Sequence, residues 1–196
     1  MPRTVDKEAQ RRIVGDALLG LVSEHGLDGV SVRTVAAAAG KSAGAVQKYF
    51  SGKDDMLRFA AELVGERVEH RMDAVDPEGG TGAVLRELVL ATLPVDPPRR
   101  AEAAVRQAFA TRAVHHEELA AIQRETDRAV RAALTEWFEE LWEHGRLEPG
   151  ADCGHLADAV IALADGFTMR MLYAPDECDS LVAALDTALA RLVPVG

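Results

Sequence analysis

The sequence predicts an all-α protein of about nine helices, a three-helix N-terminal head followed by a larger helical body. Three observations carry that expectation. Ala, Leu, Arg and Glu dominate the chain, and these residues lose little conformational freedom in a helix. Proline is confined to apparent boundaries, as in Pro94-Val95-Asp96-Pro97-Pro98 and Ala174-Pro175. No run alternates apolar and polar residues at period two for long enough to form a strand.

The elements follow in order. Ile13, Ala17, Leu18, Leu21 and Val22 recur at helical spacing between Asp6 and about His25, where Gly26 stops the first helix. Ser31 is placed to cap a short helix from Val32 to Ala39, which Gly40 ends. Ser42 caps a third, from Ala43 to Tyr49 or Phe50, broken by Ser51-Gly52. A long fourth helix is expected from about Lys53 to Val75, ahead of Asp76-Pro77-Glu78-Gly79-Gly80. Five more are expected over roughly 82–93, 98–114, 117–144, 153–172 and 176–192, with Pro149-Gly150 between the third and fourth of these. The domain reading places a head at residues 1–52 and a body at 53–196.

The net charge of −10 speaks at first against nucleic acid, but it is unevenly spread. Residues 1–57 carry 8 Lys/Arg against 7 Asp/Glu, and residues 58–196 carry 14 against 25. All four lysines, Lys7, Lys41, Lys48 and Lys53, lie in the first part. An acidic body with a locally basic head suits a protein that touches DNA through its head alone. Every apolar stretch is interrupted by a charge or a histidine before the roughly 18 residues a membrane helix needs. Met1-Pro2-Arg3-Thr4 leads into no signal core, so a cytoplasmic location is expected. Cys153 and Cys178 match no zinc or redox spacing and are read as free thiols.

Residues 31–50 read SVRTVAAAAGKSAGAVQKYF. Two short helices joined by a tight turn that opens on glycine form the helix-turn-helix pattern. Val32, Val35, Ala36, Ala39, Val46 and Phe50 are expected to face inward, and Ala36 to Ala39 let the helices cross closely. Ser42, Ala43, Gly44, Ala45, Gln47, Lys48 and Tyr49 are left pointing out. A face of small residues and hydrogen-bonding groups lets backbone approach a major groove while longer side chains reach base edges.

The stretch from Gly40 to Phe50, followed by Lys53 and Leu57, resembles the signature of the TetR family of transcriptional regulators, and the resemblance runs over about residues 8–57. It implies a dimeric repressor that binds a palindromic operator and is released by a small molecule. At matching positions it implies phosphate contacts from Ser42 and Tyr49, and a phosphate or base contact from Lys48. Lys53 would clamp phosphate with the amides that open the fourth helix. Arg33 would reach the backbone or an adjacent base, and Gly44 would allow close approach. Two residues depart from the pattern. Lys41, in place of a small apolar residue, either adds a phosphate contact or extends into solvent; Gln47, where tyrosine is frequent, is suited to pair with an adenine edge.

The segment from Leu156 to Phe167, with Tyr173-Ala174-Pro175, resembles the C-terminal domain of the choline-responsive BetI-like branch. In the family the last two helices build a homodimer interface, and the small residues Ala157, Ala159, Ala162, Ala164 and Gly166 would permit close contact here. Expected effector contacts are Phe109, Trp137, Leu141 and Phe167 for apolar lining, with Arg106 and Asp165 as polar partners. The effector itself is not legible. A dimeric regulator that needs no effector, or an activator, remains an alternative reading.

An enzyme is disfavoured. His115-His116-Glu117-Glu118 splays around a helix, because neighbours diverge by about 100°. His155 and Asp158 have no third ligand at metal spacing. No phosphate loop, nucleophile elbow or carboxylate pair is present, and neither metal nor cofactor is implied.

Overall fold

The computed structural model describes residues 3–148 and 150–193, and among them every regular element is helical. The order is α1 (Arg3–His25), α2 (Val32–Ala38), α3 (Ala43–Val46), α4 (Lys53–Asp73), α5 (Thr81–Thr92), α6 (Pro97–Ala113), α7 (Glu117–Glu143), α8 (Cys153–Tyr173) and α9 (Cys178–Leu192). Single 3₁₀ turns at Leu27–Gly29 and Pro175–Glu177 introduce α2 and α9. Most predicted boundaries fall within a few residues of these. Two differ in kind. The third helix keeps α geometry only to Val46, after which Lys48 and Tyr49 donate to the carbonyls of Ala45 and Val46 in tighter, 3₁₀-like turns. The ninth begins at Cys178, because Pro175 starts a separate turn. Pro149 lies outside the described residues.

Two apolar cores organise the chain. The first gathers Leu18 and Val22 of α1, Val35 of α2, Val46 of α3 and Phe50, with Leu57, Val64 and Val68 of α4. Ala101 and Val105 of α6 also belong to it, so a helix of the body completes the core of the head. The second joins Leu85 and Val89 of α5, Phe138 and Leu141 of α7, Val160 and Met171 of α8, and Leu181 and Leu185 of α9. α6 therefore stands at the junction, packed on α1 and α4 on one side and on α7 and α8 on the other.

The α1–α4 crossing is close because Gly15 has no side chain. A Cβ there would sit 3.1 Å from Leu63 Cδ2 and 3.2 Å from the Phe59 ring. One turn earlier, the Arg11 guanidinium lies over two rings, 4.8 Å from the centroid of Phe50 and 4.5 Å from that of Phe59. It also stands 3.7 Å from Asp55. Cation–π contact and ion pairing thus pin α1 to the end of the helix-turn-helix and the start of α4.

On the far side, α8 shows an uncovered stripe of Ala162, Gly166, Met169 and Tyr173. Their spacing of four, three and four places them along one helix face. Met169 is 50% and Tyr173 72% exposed, high for large apolar side chains.

Candidate nucleic-acid interface

Local hydrogen bonds build the reading unit. Ser31 opens α2 with a reciprocal cap: its hydroxyl accepts the Thr34 N–H at 3.1 Å, and Thr34 Oγ1 accepts the Ser31 N–H at 2.9 Å. At the other end Gly40 takes a left-handed φ of 65°. The Lys41 N–H then reaches the Ala36 carbonyl at 2.8 Å and the Gly40 N–H reaches Ala37 at 3.1 Å, the paired bonds of a Schellman turn. Ser42 starts α3 at once, its hydroxyl accepting the Ala45 N–H at 3.1 Å. That bond occupies a lone pair, so the Ser42 proton is still available to a phosphate oxygen.

The resulting surface is clear. Arg33, Ser42, Ala43, Gly44, Gln47 and Lys48 are exposed, whereas Val46 and Phe50 are buried. No atom lies within 4 Å of where a Gly44 Cβ would be, so this face is open to a large partner. Tyr49 is half-buried, its ring against the first core.

Two lysines are tethered. Lys41 does not simply extend into solvent: it is half-buried and its ammonium donates to Gln10 Oε1 of α1 at 2.5 Å, with protons left for a further acceptor such as phosphate. Lys53 is half-buried and donates to the Leu27 carbonyl at 3.3 Å, leaving ammonium protons for a second acceptor. Asp55, in the same first turn of α4, loses hydration, but the Ser51 N–H and the Arg58 and Arg11 guanidiniums outweigh that loss and hold its carboxyl below the usual range. Sequence reasoning missed Arg11 and Asp55, since their partners lie some 40 residues apart in the chain.

The six expected effector residues do not converge on one cavity. Arg106 and Asp165 face one another electrostatically across α6 and α8. Arg106 donates to the Thr92 carbonyl at 2.6 Å, while its Nε is buried without a hydrogen-bond partner. Burial pushes the Asp165 carboxyl up, with Arg106 opposing the shift and Asp127 adding to it, although one side of Asp165 still meets solvent. Phe109 is buried one turn along from Arg106, and Phe167 packs on the second core. Trp137 and Leu141 sit elsewhere. Arg131 pairs with Asp158 through bonds of 2.6 and 3.0 Å, while Asp127 lies near Asp165 and Glu139 near Cys153, so α7 and α8 run antiparallel. Trp137 then lies about 15–20 Å along the helix axes from Asp165. With Glu140, His144 and Arg146, Trp137 and Leu141 line a separate hollow of about 240 Å³. A second hollow, of about 410 Å³, lies between α5 and α9 beside Arg86 and Asp186.

Other candidates are accounted for. Both Asp158 oxygens serve Arg131, and His155 turns to Asp152. Among the described residues no three His, Cys, Asp or Glu side chains gather as a metal site. Cys153 and Cys178 are half-buried free thiols, and burial raises both. No described helix is long and apolar enough to cross a membrane.

The exposed α3 face is matched by family comparison. Residues 16–59 correspond to the bacterial regulatory proteins of the tetR family, and residues 82–194 to the C-terminal domain of BetI-type transcriptional repressors. The chain belongs to the TetR family. This TetR-family protein is 28% identical over 180 residues to the HTH-type transcriptional regulator PksA of Bacillus subtilis (strain 168), covering 89% of this chain and 84% of the relative. It is 27% identical to the regulator BetI 2 of Chromohalobacter salexigens, covering 93% and 87% of the two chains. Among solved structures, a transcriptional regulator from Rhodococcus sp. Rha1 is 33% identical with a TM-score of 0.80, over 93% of this chain and 95% of that one. A regulator from Saccharomonospora viridis in complex with choline shares the fold, with a TM-score of 0.82 at 18% identity over 96% and 99% of the chains. The protein is a DNA-binding transcriptional regulator and not an enzyme.

Proposed function

We propose that this TetR-family chain is a homodimeric repressor that binds a palindromic operator and releases it when a small molecule occupies the body. The carrying observation is the exposed face of Ser42, Ala43, Gly44, Gln47 and Lys48, which has hydrogen-bonding groups at its edges and empty space over Gly44. In this reading residues 1–52 are the reading head and 53–196 the body. Ser42, Tyr49, Lys53 and Arg33 contact phosphates, Gln47 reads an adenine edge, and Lys48 takes phosphate or a base. The uncovered α8 stripe, with α9 beside it, pairs with a second copy, and two heads then read two half-sites.

The effector region we favour surrounds Arg106, Asp165 and Phe109. The buried, unpartnered Arg106 Nε and the partly desolvated Asp165 carboxyl leave polar groups for a ligand to satisfy. Occupation there moves α6 and, through it, α4, so the heads lose their operator spacing. Such coupling is reciprocal: operator DNA must weaken effector binding by the same factor. Choline, held by the Saccharomonospora viridis neighbour, is the first probe, and a ligand of the folded dimer raises its thermal midpoint.

Selection of bound duplexes from a random library tests the reading. A palindromic consensus is expected. Lys48→Ala is expected to flatten the salt dependence of binding by about one unit of log–log slope. Failure to retain any duplex at low salt overturns the proposal.

A further inference from the structure

Glu102 stands out as a buried charge that the DNA surface does not use. Its side chain is 6% exposed on α6, inside the junction between head and body. Both oxygens are engaged from α4: Oε1 accepts from Arg67 Nη1 at 3.2 Å and Oε2 from Arg71 Nη2 at 2.8 Å. Each arginine then reaches a further element. Arg67 Nη2 donates to Asp16 of α1 at 2.6 Å. Arg71 Nε donates to the Ala91 carbonyl at the end of α5, at 3.0 Å. Ala91 is one of three consecutive α5 carbonyls held by arginines, with Arg99 on Leu90 at 3.2 Å and Arg106 on Thr92 at 2.6 Å. Four helices thus meet through one carboxylate.

A second tie marks the other end of the α4–α6 contact. Asp54, in the first turn of α4, lies 2.5 Å from Arg112 in the last turn of α6, without the alignment of a hydrogen bond. The two helices therefore run antiparallel and are clamped near both ends. Between the clamps the contact is apolar, with Leu63 and Val64 in one core with Val105. Apolar packing is non-directional, whereas charged hydrogen bonds fix axial register and rotation.

We infer that Glu102 is a positioning residue that sets the angle of the head on the body and so fixes which half-site spacing the dimer accepts. α4 begins directly after the reading unit, so its register against α6 carries the head. α6 is anchored in the body through α7 and α8. Inserting or deleting one base pair moves a half-site by about 3.4 Å and turns it by about 35°, a change that a clamped head cannot follow. This inference rests on the operator reading above.

The test uses the full-length dimer and the operator selected from a random library, together with copies whose central spacer is one base pair longer or shorter. The readout is the ratio of affinities for the selected and altered spacings. A purely structural role would lower the unfolding midpoint and all affinities together without moving that ratio. Glu102→Gln keeps the volume but turns an amide donor toward a guanidinium, and the ratio is expected to fall about threefold or more. Asp16→Asn, on an exposed side chain that leaves the core intact, is expected to move it in the same direction by less. A native protein that prefers its selected spacing while both variants keep the full ratio overturns the positioning role. A native protein that binds no duplex overturns the operator reading instead.

Discussion

The reading unit and the effector region of this regulator are built in opposite ways. The first is a contiguous stretch of 20 residues, Ser31 to Phe50, whose caps and turn are satisfied by neighbours within five positions. The second brings together Thr92, Arg106, Asp127 and Asp165, from four different helices. Locally satisfied backbone leaves side chains free to meet a partner. Long-range charge pairs hold helices relative to one another, with the buried Arg106 Nε left without a hydrogen-bond partner. The head is thus made to present a surface, and the body to hold and change a geometry.

The comparison predicts unequal responses to mutation. The largest effect is expected at Phe50, which is 2% exposed and joins α3 to Arg11 and Phe59. Phe50→Ala is expected to cost about 3–5 kcal/mol in denaturant unfolding and to abolish operator binding. A loss below about 1 kcal/mol would show that the head does not depend on this packing.

An intermediate effect distinguishes two glycines of α1. At Gly15, a leucine must displace Leu63 and Phe59, and a loss of about 1–3 kcal/mol is expected. At Gly20 nothing lies within 4 Å, so Gly20→Ala is expected to stabilise by about 0.5–1 kcal/mol through helix propensity alone. Equal responses in thermal unfolding would mean that the α1–α4 crossing is looser than described.

The smallest effect is expected in the body. The Asp165 carboxyl is raised in the fold, so the folded chain binds its proton more tightly than the unfolded chain does. Stability from this group therefore grows as pH falls through the raised folded pKa, and its penalty is fully present above it. Asp165→Asn is expected to stabilise at neutral pH by less than about 1 kcal/mol after solvent screening, and to lose that advantage in acid. An advantage that persists unchanged at low pH would place the cause outside titration of Asp165.

Legibility followed the same division. Ser31, Gly40 and Ser42 announce their caps and turn in sequence, since each acts on backbone a few residues away. The tether of Lys41 is not legible in the same way, because nothing local shows that Gln10 of α1 stands within reach of its ammonium. Trp137 and Leu141 carry the right chemistry for a pocket with Asp165, but the antiparallel register of α7 and α8 separates them.

Sequence alone determined the helices, their order and the outward face of α3, because helix periodicity, capping and left-handed glycine are properties of short stretches of chain. Tertiary structure decided that α6 completes the core of the head, that Glu102 gathers two arginines of α4, and that Arg106 meets Asp165. Those outcomes depend on which helix faces cross and in what register. That geometry arises from packing over the whole chain, and no local pattern encodes it.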